Sequence, residues 1–250
     1  MKTLHILRAG QGPRLLLLHG IGASATTWNQ QMARLGAHFT CLAPDLPGYG
    51  DSPALASEGL MAILEAVANV VRDEPAHVVG VSFGALLALA LARHYPQRVV
   101  SLVLADATLG RAGLPDPERK QWLQNRLDLS RNLQGVSLDR AAKIAAPGAP
   151  AHVVEEIARH MRRARPEGYM AVANAIAATD ARPWLPAITT PALVLCGEDD
   201  RVTGTDVSRT LADALPQASL HVIPKAGHAP HIEQADEFAR LVRGFLLDRK

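Results

Sequence analysis

Short, nearly unbroken apolar runs recur along the chain at 15–18, 40–43, 77–81, 99–104, 192–195 and 220–223. Runs of this length, bounded by turn residues, predict strands buried on both faces. Between them lie segments at 25–35, 59–71, 85–94, 204–214 and 234–247 that are amphipathic at helical spacing or rich in alanine. Proline and glycine mark the joins, as at Pro44, Pro47-Gly48, Pro75, Pro96, Pro191, Pro216 and Pro224. Strands alternating with helices predict an α/β chain whose largely parallel sheet is covered on both sides.

One stretch breaks the alternation. After Asp106 no strand-like run returns until Pro191, and helical patterns opened by turn signals fill 115–133, 137–146, 150–164 and 166–179. A crossover between parallel strands needs one helix, so the extra ones predict an inserted helical unit. The expected organisation is a core made of 1–107 and 187–250, with 108–186 inserted. Trp122, Leu127, Met161 and Tyr169 fall on the apolar sides of these patterns and are expected mainly in its packing.

Composition narrows the class. With 48% hydrophobic residues, 20% charged and a net charge of +2, the chain of 250 residues can bury a sizeable core. That balance gives no electrostatic reason to expect a nucleic-acid or membrane partner. The longest apolar stretch, 78–92, is interrupted by Gly80, Ser82 and Gly84 and is too short to span a bilayer. Residues 1–8 lack the apolar core of a signal peptide, so a cytoplasmic location is expected. Cys41 and Cys196 sit among apolar neighbours and read as reduced, buried thiols. The charge is unevenly spread: 108–182 holds twelve basic and eight acidic residues, a balance of +4. Solvated outer helix faces account for such an excess, and a positive lid over a site for anionic substrates is the functional alternative.

Gly80-Val81-Ser82-Phe83-Gly84 lies where a predicted strand turns into a predicted helix. A G-x-S-x-G there serves a nucleophile. Small residues on either side let the chain turn sharply, and the turn pushes the hydroxyl outward above the free N–H groups of a helix start. A serine hydroxyl also needs a base. Of ten histidines, His228 stands on a short loop after the 220–223 run, at the same sheet edge as Ser82. His231 reads as a surface or capping residue, while His77, His94, His152, His160 and His221 read as ordinary packing or solvated positions.

The base in turn needs a carboxylate. Glu198, Asp199 and Asp200 follow the 192–195 run, and the order of serine, acid and histidine suits any of the three. Asp106 is a lower-ranked alternative, and Asp45 is read as organising the Pro47-Gly48-Tyr49-Gly50 turn. The oxyanion donors are expected to be the N–H of Phe83 and one from His19-Gly20-Ile21-Gly22, with Ile21 as the assigned residue. No phosphate loop, dinucleotide fingerprint or metal-type Cys/His cluster is present, so no cofactor and no metal are expected.

These residues together resemble the α/β-hydrolase fold superfamily along essentially the whole chain. The likeness rests on His19-Gly20-Ile21-Gly22 with Trp28, Asp45-Leu46-Pro47-Gly48-Tyr49-Gly50-Asp51-Ser52, the turn at Ser82, Gly197-Glu198-Asp199-Asp200, and Gly227-His228. It implies a mostly parallel eight-stranded sheet, a helical cap at 108–186 between strands 6 and 7, and Asp200 as the acid, last in a G-x-x-D segment. The C-terminal half is similar to small esterases of the 3-oxoadipate enol-lactonase group. Its carriers are Pro166-Glu167-Gly168-Tyr169, Ala177-Ala178-Thr179-Asp180 and Ile232-Glu233-Gln234.

The expected activity is hydrolysis of a small-molecule carboxylic ester or lactone through Ser82, His228, Asp200 and an acyl-enzyme. A C–C bond hydrolase of the meta-cleavage-product type is the enzymatic alternative, and a slow-turnover small-molecule receptor the non-enzymatic one. Serine at the turn speaks against aspartate-nucleophile dehalogenases and epoxide hydrolases. Nothing in the pattern sets an oligomeric state.

Overall fold

The computed structural model describes residues 3–248; Met1, Lys2, Arg249 and Lys250, and with them the first two positions of the signal-peptide reading, lie outside the described residues. A seven-stranded sheet has the order β1-β3-β2-β4-β5-β6-β7. Its members are β1 (Ile6–Ala9), β2 (Arg14–Leu18), β3 (Thr40–Pro44), β4 (Ala76–Val81), β5 (Val99–Ala105), β6 (Ala192–Gly197) and β7 (Ala218–Ile223). β1 runs antiparallel to β3 and every other pair is parallel. Among the described residues the strand count is thus one short of the eight expected, with β1 at one edge of the sheet and β7 at the other.

The apolar runs behave as two-faced strands. Leu16 and Leu18 of β2 enter one core with Val78, Leu102, Leu104 and Val194. Leu15 and Leu17 enter the other with Val79, Val103, Leu193 and Leu195. Successive side chains point to opposite faces, so only a sheet covered twice can bury both sets. On the first face lie α2 (Leu60–Ala68), α3 (Phe83–His94) and α8 (Thr205–Ala214); on the second lie α1 (Asn29–Leu35) and α10 (Ala235–Leu247). Every residue of α3 from Phe83 to Ala92 is buried. Its alanines let the helix sit close on β4 and β5 until Arg93 and His94 carry it back to solvent.

Between β5 and β6 run α4 (Asp116–Ser130), α5 (Leu138–Ala142), α6 (Ala151–Arg163) and α7 (Pro166–Ala178). The ends of this helical segment meet. Gly110 bridges to Asp180, and Ala181 N–H donates to the Leu109 carbonyl at 2.8 Å. Val136, Ala141, Val153, Ile157 and Met161 form a small core with Ala229 and Ile232, which flank His228. Tyr169 and Met161 are buried as expected, whereas Leu127 faces solvent and Trp122 is half-buried. α4 buries only Ser130, so its leucines do not make the apolar stripe that their spacing suggested. Among the described residues, no helix is long and apolar enough to cross a membrane.

Candidate active site

In a parallel sheet the loops after the strands gather at one edge, where a site can form. Here those loops carry Gly20-Ile21-Gly22 after β2, Ser82 after β4, Asp106 after β5, Asp200 after β6 and His228 after β7. Ser82 has φ 57° and ψ −114°, a left-handed conformation that costs a non-glycine residue about 1–3 kcal/mol. The two glycines beside it are required by contact. A Cβ on Gly80 would lie 2.3 Å from the Gly84 backbone, and one on Gly84 would lie 2.0 Å from the Leu18 carbonyl oxygen. The strained turn is fixed by the Ser82 N–H donating to Ala105 at 2.9 Å, while the Ser82 carbonyl accepts from Ala85 at 3.1 Å. Phe83 opens α3, where the first N–H groups have no partner within the helix.

His228 Nδ1 lies 3.1 Å from Asp200 Oδ1. An ionised carboxylate only accepts, so Nδ1 carries the proton and Nε2 is left as the acceptor. Burial alone would lower the His228 pKa, but the hydrogen bond and charge of Asp200, with Asp106 and Glu233 behind, raise it above the ordinary value. Burial likewise pushes Asp200 up. The bond from His228, its charge, and donors from Thr203 and Val202 outweigh that and hold the carboxyl well below the usual range. Val202 N–H donates to Oδ1 at 2.8 Å, Gly204 N–H to Oδ2 at 3.2 Å, and the Thr203 hydroxyl also binds Oδ2. Of the three adjacent acids, Asp200 alone reaches the histidine. Glu198 is exposed and accepts from Lys225 N–H, and Asp199 is half-buried.

Asp106 does not replace it. It lies fully buried behind Asp200, with Oδ1 accepting from Gly197 N–H at 2.9 Å. Burial drives its pKa up to about 8, helped by the neighbouring Asp200 charge. Asp106, Cys196 and Asp200 place metal-capable atoms within 4.8 Å of one another, as do His5, Asp45 and Asp51. Asp106 and Asp200 in the first group, and Asp45 in the second, already accept from protein donors. Cys41 and Cys196 are buried free thiols, pushed up to about 11 and about 12, chiefly by burial.

The glycine-rich turn after β2 is held by His19. Its Nδ1–H donates to the Gly20 carbonyl at 2.9 Å and its Nε2 accepts from Leu46 N–H at 3.0 Å. Burial lowers its pKa to about 4, so it stays neutral and ties this turn to the Pro47-Gly48 loop. Asp45 accepts from Ala25 and Asp51 N–H and organises that loop, as read from the sequence. Gly20, Ile21, Ser82 and His228 all line one cavity of about 440 Å³, within the usual range for small-molecule sites.

Two residues carry more than their sequence positions suggested. His231 is buried rather than at the surface. It stacks 4.8 Å from Trp28, its Nε2 pairs with the Thr27 hydroxyl at 2.9 Å, and burial lowers its pKa to about 3. Glu233 accepts from Gly227 at 3.0 Å and Ala229 at 3.1 Å, the neighbours of His228, and from Ala146 of the helical segment at 2.7 Å. His228 N–H itself donates to the Ile144 carbonyl at 2.8 Å. In the sequence Glu233 stands out through Ile232-Glu233-Gln234, which carries part of the resemblance, and through its place five residues after His228, but neither assigns it this anchoring of the loop.

Comparison with known proteins fits this geometry. The profile of the alpha/beta hydrolase family matches residues 15–241. The chain belongs to the alpha/beta hydrolase family. It is 32% identical to the pimeloyl-[acyl-carrier protein] methyl ester esterase of Vibrio parahaemolyticus, over 98% of this chain and 99% of that protein. The solved thermophilic esterase of Thermogutta terrifontis superposes with a TM-score of 0.87 at 27% identity, covering 98% of this chain and 93% of the other. The enol-lactonase of Burkholderia xenovorans LB400 gives 0.85 at 27% identity, covering 98% and 96%. As a family member the chain is a hydrolase of the α/β fold, and these relatives are by name carboxylic ester or lactone hydrolases.

Proposed function

We propose that this alpha/beta hydrolase cleaves a carboxylic ester, cyclic esters included, with Ser82 as nucleophile, His228 as base and Asp200 as its orienting carboxylate. The observation that carries the reading is the serine on a strained strand–helix turn, lining one cavity with a histidine whose Nδ1 proton is held by a buried carboxylate. Ser82 Oγ attacks the ester carbonyl as His228 Nε2 takes its proton. The tetrahedral oxyanion is received by the N–H groups of Phe83 and Ile21. His228 then returns the proton to the leaving alcohol, leaving an acyl-enzyme. Water, deprotonated by the same histidine, releases the acid and restores Ser82.

In this reading 108–186 is a cap over the core formed by 1–107 and 187–250, and it walls the cavity through Trp122, Met161 and Tyr169. The relatives named for a methyl ester carried on acyl-carrier protein make a methyl ester on an acyl chain the first substrate to try. We place the enzyme in the cytoplasm and give it no cofactor.

A fluorophosphonate probe tests the assignment directly. Wild-type protein is expected to label at Ser82, Ser82→Ala to stay unlabelled, and turnover of p-nitrophenyl esters to fall by about 10⁴-fold or more in that variant. Equal labelling of the two proteins refutes the nucleophile, and a single covalent event without turnover identifies a receptor instead.

A further inference from the structure

The cavity shared by Ser82 and His228 carries five cationic side chains, Arg111, Arg126, Arg140, Lys143 and Arg201, and among the described residues no carboxylate lines it. Lys143 and Arg201 are exposed at its mouth, while Arg111, Arg126 and Arg140 are half-buried. Surface arginines elsewhere on the helical segment find acids, as Arg119 does with Asp116 and Arg131 with Asp128. Arg111, Arg126 and Arg140 form no ion pair among the described residues, and the Nε atoms of Arg126 and Arg140 are buried without a hydrogen-bond partner. A charged group taken from water without a counter-charge is costly. Three such groups facing one cavity therefore mark a place that a ligand completes.

Their arrangement is specific. The guanidinium carbons of Arg111 and Arg126 lie 4.9 and 4.8 Å from the centre of the Trp122 ring, so both charges are held against one indole. Arg111 is destabilised as a cation first by burial and then by Arg126, with only Glu118 opposing. Burial raises the Tyr169 pKa, and the positive charges of Arg126 and Arg140 oppose that rise. The Tyr169 ring packs over Gly22, where a Cβ would lie 3.6 Å from it, in the turn that adjoins Ser82. The same tyrosine thus borders both the cations and the reacting end of the cavity. The lining also includes the apolar side chains of Ile144, Ile157, Met161 and Ile176.

We propose that Arg111, Arg126 and Arg140 form an oxyanion-binding subsite for a carboxylate or phosphate on the substrate, separated from the ester carbonyl by an apolar segment. The planar guanidinium fork suits either anion, since it can meet two oxygens of a carboxylate or a phosphate at once. The proposal rests on the esterase reading for the ester at Ser82, but the anion site itself can be tested without turnover.

Ser82→Ala protein is titrated with monomethyl adipate, with neutral dimethyl adipate, and with a phosphate-terminated methyl ester of similar length, following tryptophan fluorescence. Trp122→Phe identifies the responding indole. At least one anionic ligand is expected to bind about 10-fold or more tighter than the diester, since charged hydrogen bonds add roughly that much each. Which of the two wins tells a free carboxylate from a phosphate-bearing source. The preference should collapse in Arg126→Gln and Arg111→Gln, persist in part in Arg126→Lys, and weaken as salt rises. Arg163→Gln, an exposed residue outside the cavity lining, should retain it. Circular dichroism establishes that each variant is folded, with Arg140→Gln as the substitute for one that is not. Equal binding of the three ligands, or a preference unchanged in both arginine variants, overturns the subsite. Loss of turnover and labelling with the anion preference intact would instead count against Ser82 alone.

Discussion

Replacing Glu233 should loosen the loop that carries His228 more than any comparably exposed carboxylate on the molecule. The side chain accepts three backbone N–H groups: Gly227 and Ala229 on Oε1, and Ala146 on Oε2. An N–H left without an acceptor costs about 1–3 kcal/mol when buried, and water recovers part of that at a half-buried site. For Glu233→Ala we expect a loss of about 3 kcal/mol, which lowers Tm by roughly 6–12 °C in a chain of this size. Glu233→Gln keeps one carbonyl oxygen for Gly227 and Ala229 but turns an amide N–H₂ toward Ala146, so about 1–2 kcal/mol is lost. Since the Gly227 and Ala229 bonds bracket His228, a shift of about 1 Å in the base should lower kcat by up to 10²-fold in the alanine variant. Urea unfolding gives the stability and p-nitrophenyl ester hydrolysis the rate. A Glu233→Ala protein within about 0.5 kcal/mol of wild type and within two-fold in kcat refutes the anchoring role.

Three further outcomes follow from the site. With the His228 pKa raised, kcat/KM should climb with pH through an apparent value above about 6.5, and Asp200→Asn should cut activity about 10⁴-fold and move that limb lower, because the strongest influence opposing burial is then removed. Stability carries the same signs. The contribution of Asp200 is present above about pH 4 and lost on acidification, and that of His228 is complete below about pH 6.5 and lost as pH rises through the raised value, so the wild-type advantage in Tm over Asp200→Asn should peak between them. Ser82→Gly should abolish hydrolysis while raising stability by about 1 kcal/mol or more, as the φ of 57° no longer strains a side chain; a lower Tm than wild type would contradict the strain.

The strands buried on both faces were legible because each is a continuous apolar run. β1 was not: Ile6–Ala9 is a short edge strand, half-exposed, with Arg8 in its middle. The insert was legible as several helices where one would do, yet the orientation of α4 was hidden, since the side marked by Trp122 and Leu127 is left half-buried and exposed in the fold. Ser82 and His228 announce themselves through local chemistry, glycines that allow a turn and a histidine at a strand end. Asp200 stood among three acids that spacing could not separate. What distinguishes it is burial and the ring of donors from Val202, Thr203 and Gly204, which depends on how the loop closes. His231 reads as exposed from its place on a loop, whereas the aromatic shell that covers it combines Phe238 from the following helix with Trp28 from distant sequence. The excess positive charge at 108–182 was countable, but which arginines turn inward was not.

The meeting of Leu109 and Gly110 with Asp180 and Ala181 makes the helical segment a closed loop whose two feet share one point on the core. Loop-closure entropy grows only as the logarithm of length, so doubling such an excursion costs about 0.6 kcal/mol. The core can therefore accommodate segments of quite different length and sequence between β5 and β6, and grafting is the natural way to change what enters the cavity. The graft is not free of obligations, however. The carbonyl of Ile144 receives the His228 N–H, and Ala146 N–H meets Glu233. A replacement must present an acceptor and a donor at those two places, or the exchange of specificity arrives with a misaligned histidine.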